Sequence, residues 1–437
     1  MSTIGDLERK YVLRSWSVQG KNQYEEIVGG EGCWFWNRDG KNYLDFSSQL
    51  VNTNIGHQHP KVIEAIKEQA DKLCYIAPFY ASEPRAKLAE LIAKYTPGDL
   101  VKSLFTLGGA EANDNAIKIA RAYTGRFKVI SRYRSYHGAT YGAITLTGDP
   151  RRPPVEPGIP GVVRVFEPYC YRCSFGQTYP GCGLECAEHV REIILYEDPK
   201  SIAAFFVEPV TGTNGVFVPP KEYLPRIREI CNEFGILMVA DEVMTGWGRT
   251  GKWFGVDNWN VVPDIMTIAK GVTQGYVPLG AVVVNEKIAS YYDDHMLWCG
   301  LTYSGHPLAC ATGVATVKIY EDENLIENSA KMGEKLKTRL LEMKEKHPSI
   351  GDVRAIGLFA AIELVKNRDT KEPLAPWNGP DPGIIARISA CLREKGVFVY
   401  TRWNYLFLAP PISINKDELK FGLDAVDSCL DLADQIL

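Results

Sequence analysis

The chain has no uninterrupted apolar run long enough to cross a bilayer, and its first ten residues, MSTIGDLERK, contain no apolar signal core. It also has no surplus of one charge. Lys and Arg number 49 against 53 Asp and Glu, a net charge of −4, which offers no footprint for nucleic acid or an acidic partner. Internal repeats, low-complexity tracts and a flexible interdomain linker are all missing. Eleven cysteines in 437 residues are too sparse for a disulfide scaffold. Cys33, Cys74, Cys231, Cys299, Cys310, Cys391 and Cys429 are scattered, and read as small apolar residues in a reducing compartment. These absences predict a soluble, cytoplasmic protein with no membrane or nucleic-acid partner. The length exceeds a usual single core, so two domains are expected, and 45% apolar residues is ordinary for a globular chain.

The most informative stretch runs from Ile236 to Lys270, ILMVADEVMTGWGRTG followed later by PDIMTIAKG. Two apolar runs of strand character, Ile236–Ala240 and Ile265–Ala269, end on Asp241 and Lys270. In an open α/β sheet, ligands bind beyond the carboxyl ends of parallel strands, where both residues would sit. A carboxylate and an amine in one crevice suit an aldehyde cofactor with a protonatable ring nitrogen, pyridoxal 5'-phosphate. Lys270 would hold it as a Schiff base, and Asp241 would keep the pyridine nitrogen protonated.

Other segments read locally. Gly32–Phe46 predicts a hairpin turning at Asp39-Gly40 between aromatic strands. Pro60 opens a helix carrying Val62, Ile66, Ala70 and Leu73 at helical spacing. Ser103–Arg121, SLFTLGGAEANDNAIKIAR, reads as strand, glycine turn and helix, an arrangement that offers backbone N–H groups to a phosphate. Strands are expected at 127–133, 201–208, 358–364 and 397–400, and helices at 222–234 and 334–346. Residues 146–162, LTGDPRRPPVEPGIPGV, form a proline-rich loop carrying Arg151 and Arg152. Arg151 could clamp a sulfonate or carboxylate if that loop roofs the pocket. Cys170–Cys186 has the form C-x2-C-x8-C-x3-C with His189 nearby. Four thiols at such spacing can bind zinc, but the middle gap is short, and packed or free thiols are preferred. No metal is assigned. His57 and His59 form a loop pair without further ligands and read as structural.

ADEVMTGWGRTG with Lys270 beyond it resembles the class III, fold-type I aminotransferases, and the resemblance covers nearly the whole chain. It implies an α/β fold whose large domain has a mostly parallel central sheet, plus a smaller α+β domain. The implied boundaries are 1–55 for an N-terminal segment joining the small domain, 56–311 for the large cofactor-binding domain and 312–437 for the C-terminal small domain. Lys270 and Asp241 become the catalytic pair. Gly109 and Ala110 would donate to the phosphate, and Tyr136 would stack on the cofactor ring with His137 beside it and Val243 on the other face. Glu208 would orient from beneath. Thr302 would reach the phosphate of a neighbouring subunit's cofactor, which makes the expected assembly a homodimer with its sites at the interface. Trp16, Arg151 and Arg402 would contact substrate, Arg402 as the carboxylate-binding arginine.

Departures from the family pattern narrow the reading. Gly108 and Ala110 stand where hydroxyls are usual, so phosphate binding would lean on backbone donors. Met244 replaces a glutamine and cannot donate to the cofactor's phenolic oxygen. Thr213 stands where relatives that use a switching arginine often carry glutamate, so Arg402 should be less tied up in an internal ion pair. With chain length and the cysteine insertion, this resembles the taurine and β-alanine branch. The expected reaction transfers the amino group of an ω-amino acid, taurine first, to 2-oxoglutarate or pyruvate. A β-alanine, GABA or other ω-amine aminotransferase, or an isomerase or decarboxylase on the same fold, is the alternative.

Overall fold

In the computed structural model, residues 3–380 and 382–437 are described. The fold is α/β, organised on a seven-stranded sheet. Its spatial order is Leu100–Thr106, Gly280–Asn285, Ile265–Ile268, Leu237–Asp241, Ile202–Val207, Lys128–Arg132 and Val162–Val165. All neighbours pair in parallel except Gly280–Asn285, which runs antiparallel to both of its partners. The sheet is therefore mostly parallel, with one reversed strand.

The local chemistry accounts for this. Ile202–Val207, IAAFFV, is buried along its whole length, as a strand covered on both faces must be. The Gly109–Thr124 helix covers one face by placing Ala112, Ala116, Ile117 and Ala120 along one side. It stops at Gly125, whose φ of 66° is the left-handed turn that glycine adopts without strain. Tyr223–Phe234 covers the other face with Leu224, Ile227, Ile230 and Cys231.

Two further sheets flank this body. Ile27–Glu31, Trp34–Asn37 and Asn42–Asp45 form an antiparallel meander, and Val397–Phe398 adds to it in parallel. Ile350–Ile356, Phe359–Asn367, Tyr405–Leu408 and Tyr400–Arg402 form the third sheet, all antiparallel, with the short strand Glu372–Pro373 also pairing antiparallel to Phe359–Asn367. The helices Leu325–Lys346, Ile384–Glu394 and Lys416–Asp434 accompany these strands. Among the described residues, no helix is long and apolar enough to cross a membrane.

The hairpin at Asp39-Gly40 and the helix opened by Pro60 form as the local patterns predict. The reading of Cys391 and Cys429 as isolated reduced residues needs correction. They form a disulfide joining the Ile384–Glu394 and Lys416–Asp434 helices. Both cysteines lie on apolar helix faces, which pack together and bring the two Cα atoms to 5.9 Å.

Candidate active site

The strands' carboxyl ends open into a cavity of about 420 Å³. Its lining includes Gly108, Gly109, Ala110, Tyr136, His137, Glu208, Asp241, Val243, Met244 and Lys270. Residues far apart in sequence thus meet at one crevice, as the strand order requires.

Asp241 closes the Leu237–Asp241 strand, and both of its oxygens are hydrogen-bonded, Oδ1 by a single donor. Oδ2 accepts from Asn113 Nδ2 and pairs with His137 Nδ1, each at 2.8 Å, while Oδ1 accepts from the Val243 N–H at 3.1 Å. Asn113 is itself fixed, since its Oδ1 accepts from Thr267 Oγ1 at 2.9 Å and its Nδ2 also reaches His137 O. This buried network keeps the carboxylate in one orientation. Asn113 and Thr267 were not singled out from sequence. The available signal was the run of polar residues, NDN, on a helix that otherwise presents alanine and isoleucine to the sheet.

Lys270 follows the Ile265–Ile268 strand with φ of 43°, a left-handed conformation that costs an ordinary side chain about 1 kcal/mol or more. Burial pushes its amine down to about 8, opposed by the charges of Asp241 and Glu208 and aided by Arg151 and Arg249. A neutral amine is the nucleophile toward an aldehyde, and its fraction grows as pH rises through that value. The rate of covalent capture of pyridoxal 5'-phosphate by cofactor-free protein should therefore rise steeply from pH 6 to about 8, then level off. Stopped-flow absorbance across pH 6–9.5 measures this, and a flat profile would exclude a depressed Lys270.

The other end of the cleft is the N-terminus of the Gly109–Thr124 helix, whose first-turn N–H groups have no intrahelical partner. A Cβ at Gly108 would meet nothing within 4 Å, so the approach to those donors is open. At Gly109, by contrast, a Cβ would lie 2.7 Å from Val243 Cγ2, so only glycine lets this turn sit against Val243. Glu208 is buried, which raises its carboxyl, and it accepts from the Tyr136 N–H at 3.0 Å and the Gly212 N–H at 2.8 Å. It thereby sets where the Tyr136 ring stands.

An amine, an oriented carboxylate, an aromatic ring and an anion-accepting helix end in one buried cleft fit pyridoxal 5'-phosphate. Met244 lines the cleft, and its sulfur would contact a Cβ at Gly212, so it fills space there and brings no strong donor.

The residues expected to contact substrate fall in different places. Arg151 lies over Tyr136, its guanidinium carbon 3.5 Å from the ring centroid, and both line the cleft. Trp16, 61% exposed, meets Tyr136 edge-on at 6.3 Å and belongs to the same lining. Arg402 does not line this cleft. It stacks on Trp403 at 4.1 Å and faces a separate cavity with Thr401 and Arg393. The expectation that Arg402 would be released from internal pairing is also altered, because Asp149 lies 3.6 Å from Arg402 Nη1. The missing carboxylate at Thr213 is supplied from another loop, which sequence offered no means of seeing. Thr302 is exposed and outside the cleft, its carbonyl accepting from Tyr75 Oη at 2.9 Å.

Cys170, Cys173, Cys182 and Cys186 converge on a second cavity of only about 20 Å³. Burial raises the Cys170 thiol and pushes that of Cys186 up to about 12. Among the described residues, one group of three ligand atoms lies within 4.8 Å of one another, and it is His347, Asp431 and Asp434. His347 is already hydrogen-bonded at both ring nitrogens, to Asp434 at 2.6 Å and Asp427 at 2.7 Å.

Comparison with known proteins agrees with this geometry. The chain superimposes on the solved taurine:2-oxoglutarate aminotransferase of Bifidobacterium kashiwanohense, in complex with PLP and glutamate. The TM-score is 0.94 and the identity 43%, covering 98% of this chain and 97% of that one. It is 38% identical to a taurine–pyruvate aminotransferase of Bilophila wadsworthia, over 84% of each chain. It is 35% identical to the 4-aminobutyrate aminotransferase of Escherichia coli, over 93% of each. The pattern described as Aminotransferase class-III matches residues 17–430. With nearly its whole length accounted for, this fold-type I chain belongs to the class III aminotransferases, enzymes that use pyridoxal 5'-phosphate.

Proposed function

We propose that this aminotransferase takes the amino group of a short ω-amino acid, taurine first, and passes it to 2-oxoglutarate or pyruvate. The products are sulfoacetaldehyde and an amino acid. The observation that carries this reading is Arg151, a planar cation resting on Tyr136 within the cleft that holds Lys270. A guanidinium there suits a sulfonate or carboxylate a short chain away from the reacting amine. The relatives named for taurine support the choice, while the 4-aminobutyrate relative keeps longer ω-amino acids as the second reading.

When bound, pyridoxal 5'-phosphate supplies the aldehyde and the electron-withdrawing ring that acidify the C–H bond beside the donor nitrogen. The first-turn N–H groups of Gly109 and Ala110 would hold its phosphate, Tyr136 and Val243 would enclose its ring, and Asp241 would hold the ring N–H. Lys270 is the general base: an amine depressed to about 8 takes a proton from carbon and returns it at neighbouring atoms near neutral pH. Tyr136, Trp16 and the buried walls limit water access during that transfer. Arg151 would serve both half-reactions, binding the anionic end of donor and acceptor in turn.

The active form proposed is a cytoplasmic homodimer. Phe79 and Trp298, each 82% exposed, and the exposed Tyr303 are large apolar side chains of the kind that a second copy would cover.

The test is the visible spectrum of the holoenzyme with taurine and no acceptor. The band of lysine-linked cofactor should fall and return on adding 2-oxoglutarate or pyruvate, which also ranks the acceptors. A band that resists taurine but falls with β-alanine or GABA would remove taurine and keep the aminotransferase.

A further inference from the structure

Lys270 is not alone in its left-handed backbone. Gln274, four positions on, has φ of 64°, and Gly275 follows at 79°. Residues that carry a Cβ persist in this region only where their surroundings hold them there.

What holds this turn is Gln274. Its N–H donates back to the Lys270 carbonyl at 2.9 Å. Its side chain is buried and folds over the turn, so that Nε2 donates to the Gly271 carbonyl at 2.6 Å and to Tyr320 Oη. On the other side of the amide, Oε1 accepts from the Ile55 N–H at 2.8 Å. Tyr320 Oη donates to the same Gly271 carbonyl at 2.8 Å, which leaves that oxygen two donors. The turn has no room to slide away from this grip. A Cβ on Gly271 would lie 2.7 Å from Trp247 Cβ and 2.8 Å from Asn54 Nδ2. Gln274 also joins the lysine turn to the N-terminal segment, because its carbonyl accepts from Asn52 Nδ2 at 3.1 Å. Asn52, Thr273 and Gly275 line the same cleft as Lys270.

We propose that Gln274 is a positioning residue for Lys270, its side-chain amide holding the left-handed turn that aims the amine into the cleft. This rests on the reading of Lys270 as the cofactor lysine. The amide is neutral, so it acts through geometry. Its loss leaves the charges that face the amine in place, namely Asp241, Glu208, Arg151 and Arg249. A reacting group displaced by about an ångström loses on the order of tenfold or more in rate, and it does so equally at every pH.

The test is Gln274→Met, which keeps the buried volume and removes the side-chain bonds to Gly271, Tyr320 and Ile55. Capture of pyridoxal 5'-phosphate by the cofactor-free chain should slow about tenfold throughout pH 6–9.5, with the midpoint still at about 8. In the loaded enzyme kcat should fall about tenfold, while KM for the amine donor stays within about twofold. A lowered melting temperature with capture and kcat at the parent rates would show that Gln274 only stabilises the fold, and overturns the proposal. A moved midpoint would assign the effect to charge and overturns it as well. Should Gln274→Met lose its cooperative melting transition, Gln274→Glu decides, since a carboxylate still accepts from the Ile55 N–H but cannot donate to Gly271. Its capture rate at pH 9.5, where a charge effect on the amine has largely faded, should be down about tenfold, and a rate within about twofold of the parent overturns the proposal. If Lys270→Ala captures the cofactor with the parent's absorbance band, the reading of Lys270 fails instead.

Discussion

Lys270→Ala should lower kcat by about 10⁴-fold or more and remove the absorbance band of lysine-linked cofactor. On the proposed mechanism, two contributions are lost together. One is the covalent anchor that exchanges its bond for that of the donor amine, and the other is the positioned base, which alone contributes about 10²–10⁴-fold. The substitution leaves a cavity beside Asp241 and Glu208 but breaks no hydrogen bond of their network, so the fold should persist. Added methylamine, a small base able to enter that space, should restore part of the proton transfer while the lysine-linked band stays absent. Turnover above about a tenth of the parent's would remove Lys270 from the mechanism.

Asp241→Asn should separate binding from catalysis. Its carboxylate is held by His137, Asn113 and the Val243 N–H, and an amide would keep the shape while losing the charge. Cofactor should still be captured by Lys270. The kcat/KM for the donor should fall about 10³-fold, because the protonated ring nitrogen loses its fixed counter-charge where charge develops. The signature is an intact lysine-linked band with slow bleaching by donor in a single-turnover experiment. Bleaching at the parent rate would mean that the ring nitrogen depends on another group.

The sequence made the centre of this site legible for a physical reason. Each of two buried parallel strands is a short apolar run ending on a charged or polar residue, and parallel topology puts such ends together. The glycine turn before Gly109 was readable for the same reason, since a strand–glycine–helix junction has few other forms. What escaped were contacts made by loops and across long separations. Asp149 sits in a proline-rich loop with no periodicity, and only the folded chain shows it meeting Arg151, Asn214 and Arg402. The reversed Gly280–Asn285 strand reads as apolar as its parallel neighbours, so its direction was not visible. Arg402 was found by resemblance, but its side chain turns to Trp403 and the rear of Asp149.

The bond between Cys391 and Cys429 changes how one part of this protein can come apart. Considered as a polymer, the segment between them is a closed ring, and it contains the strands Val397–Phe398, Tyr400–Arg402 and Tyr405–Leu408. Arg402 therefore rides on a loop that a single proteolytic cut cannot release. A nick anywhere inside the ring leaves both new ends tethered to the same molecule, and on a non-reducing gel the chain still migrates as one piece. In a reducing compartment the two thiols part, the ring opens, and the same nick yields two fragments.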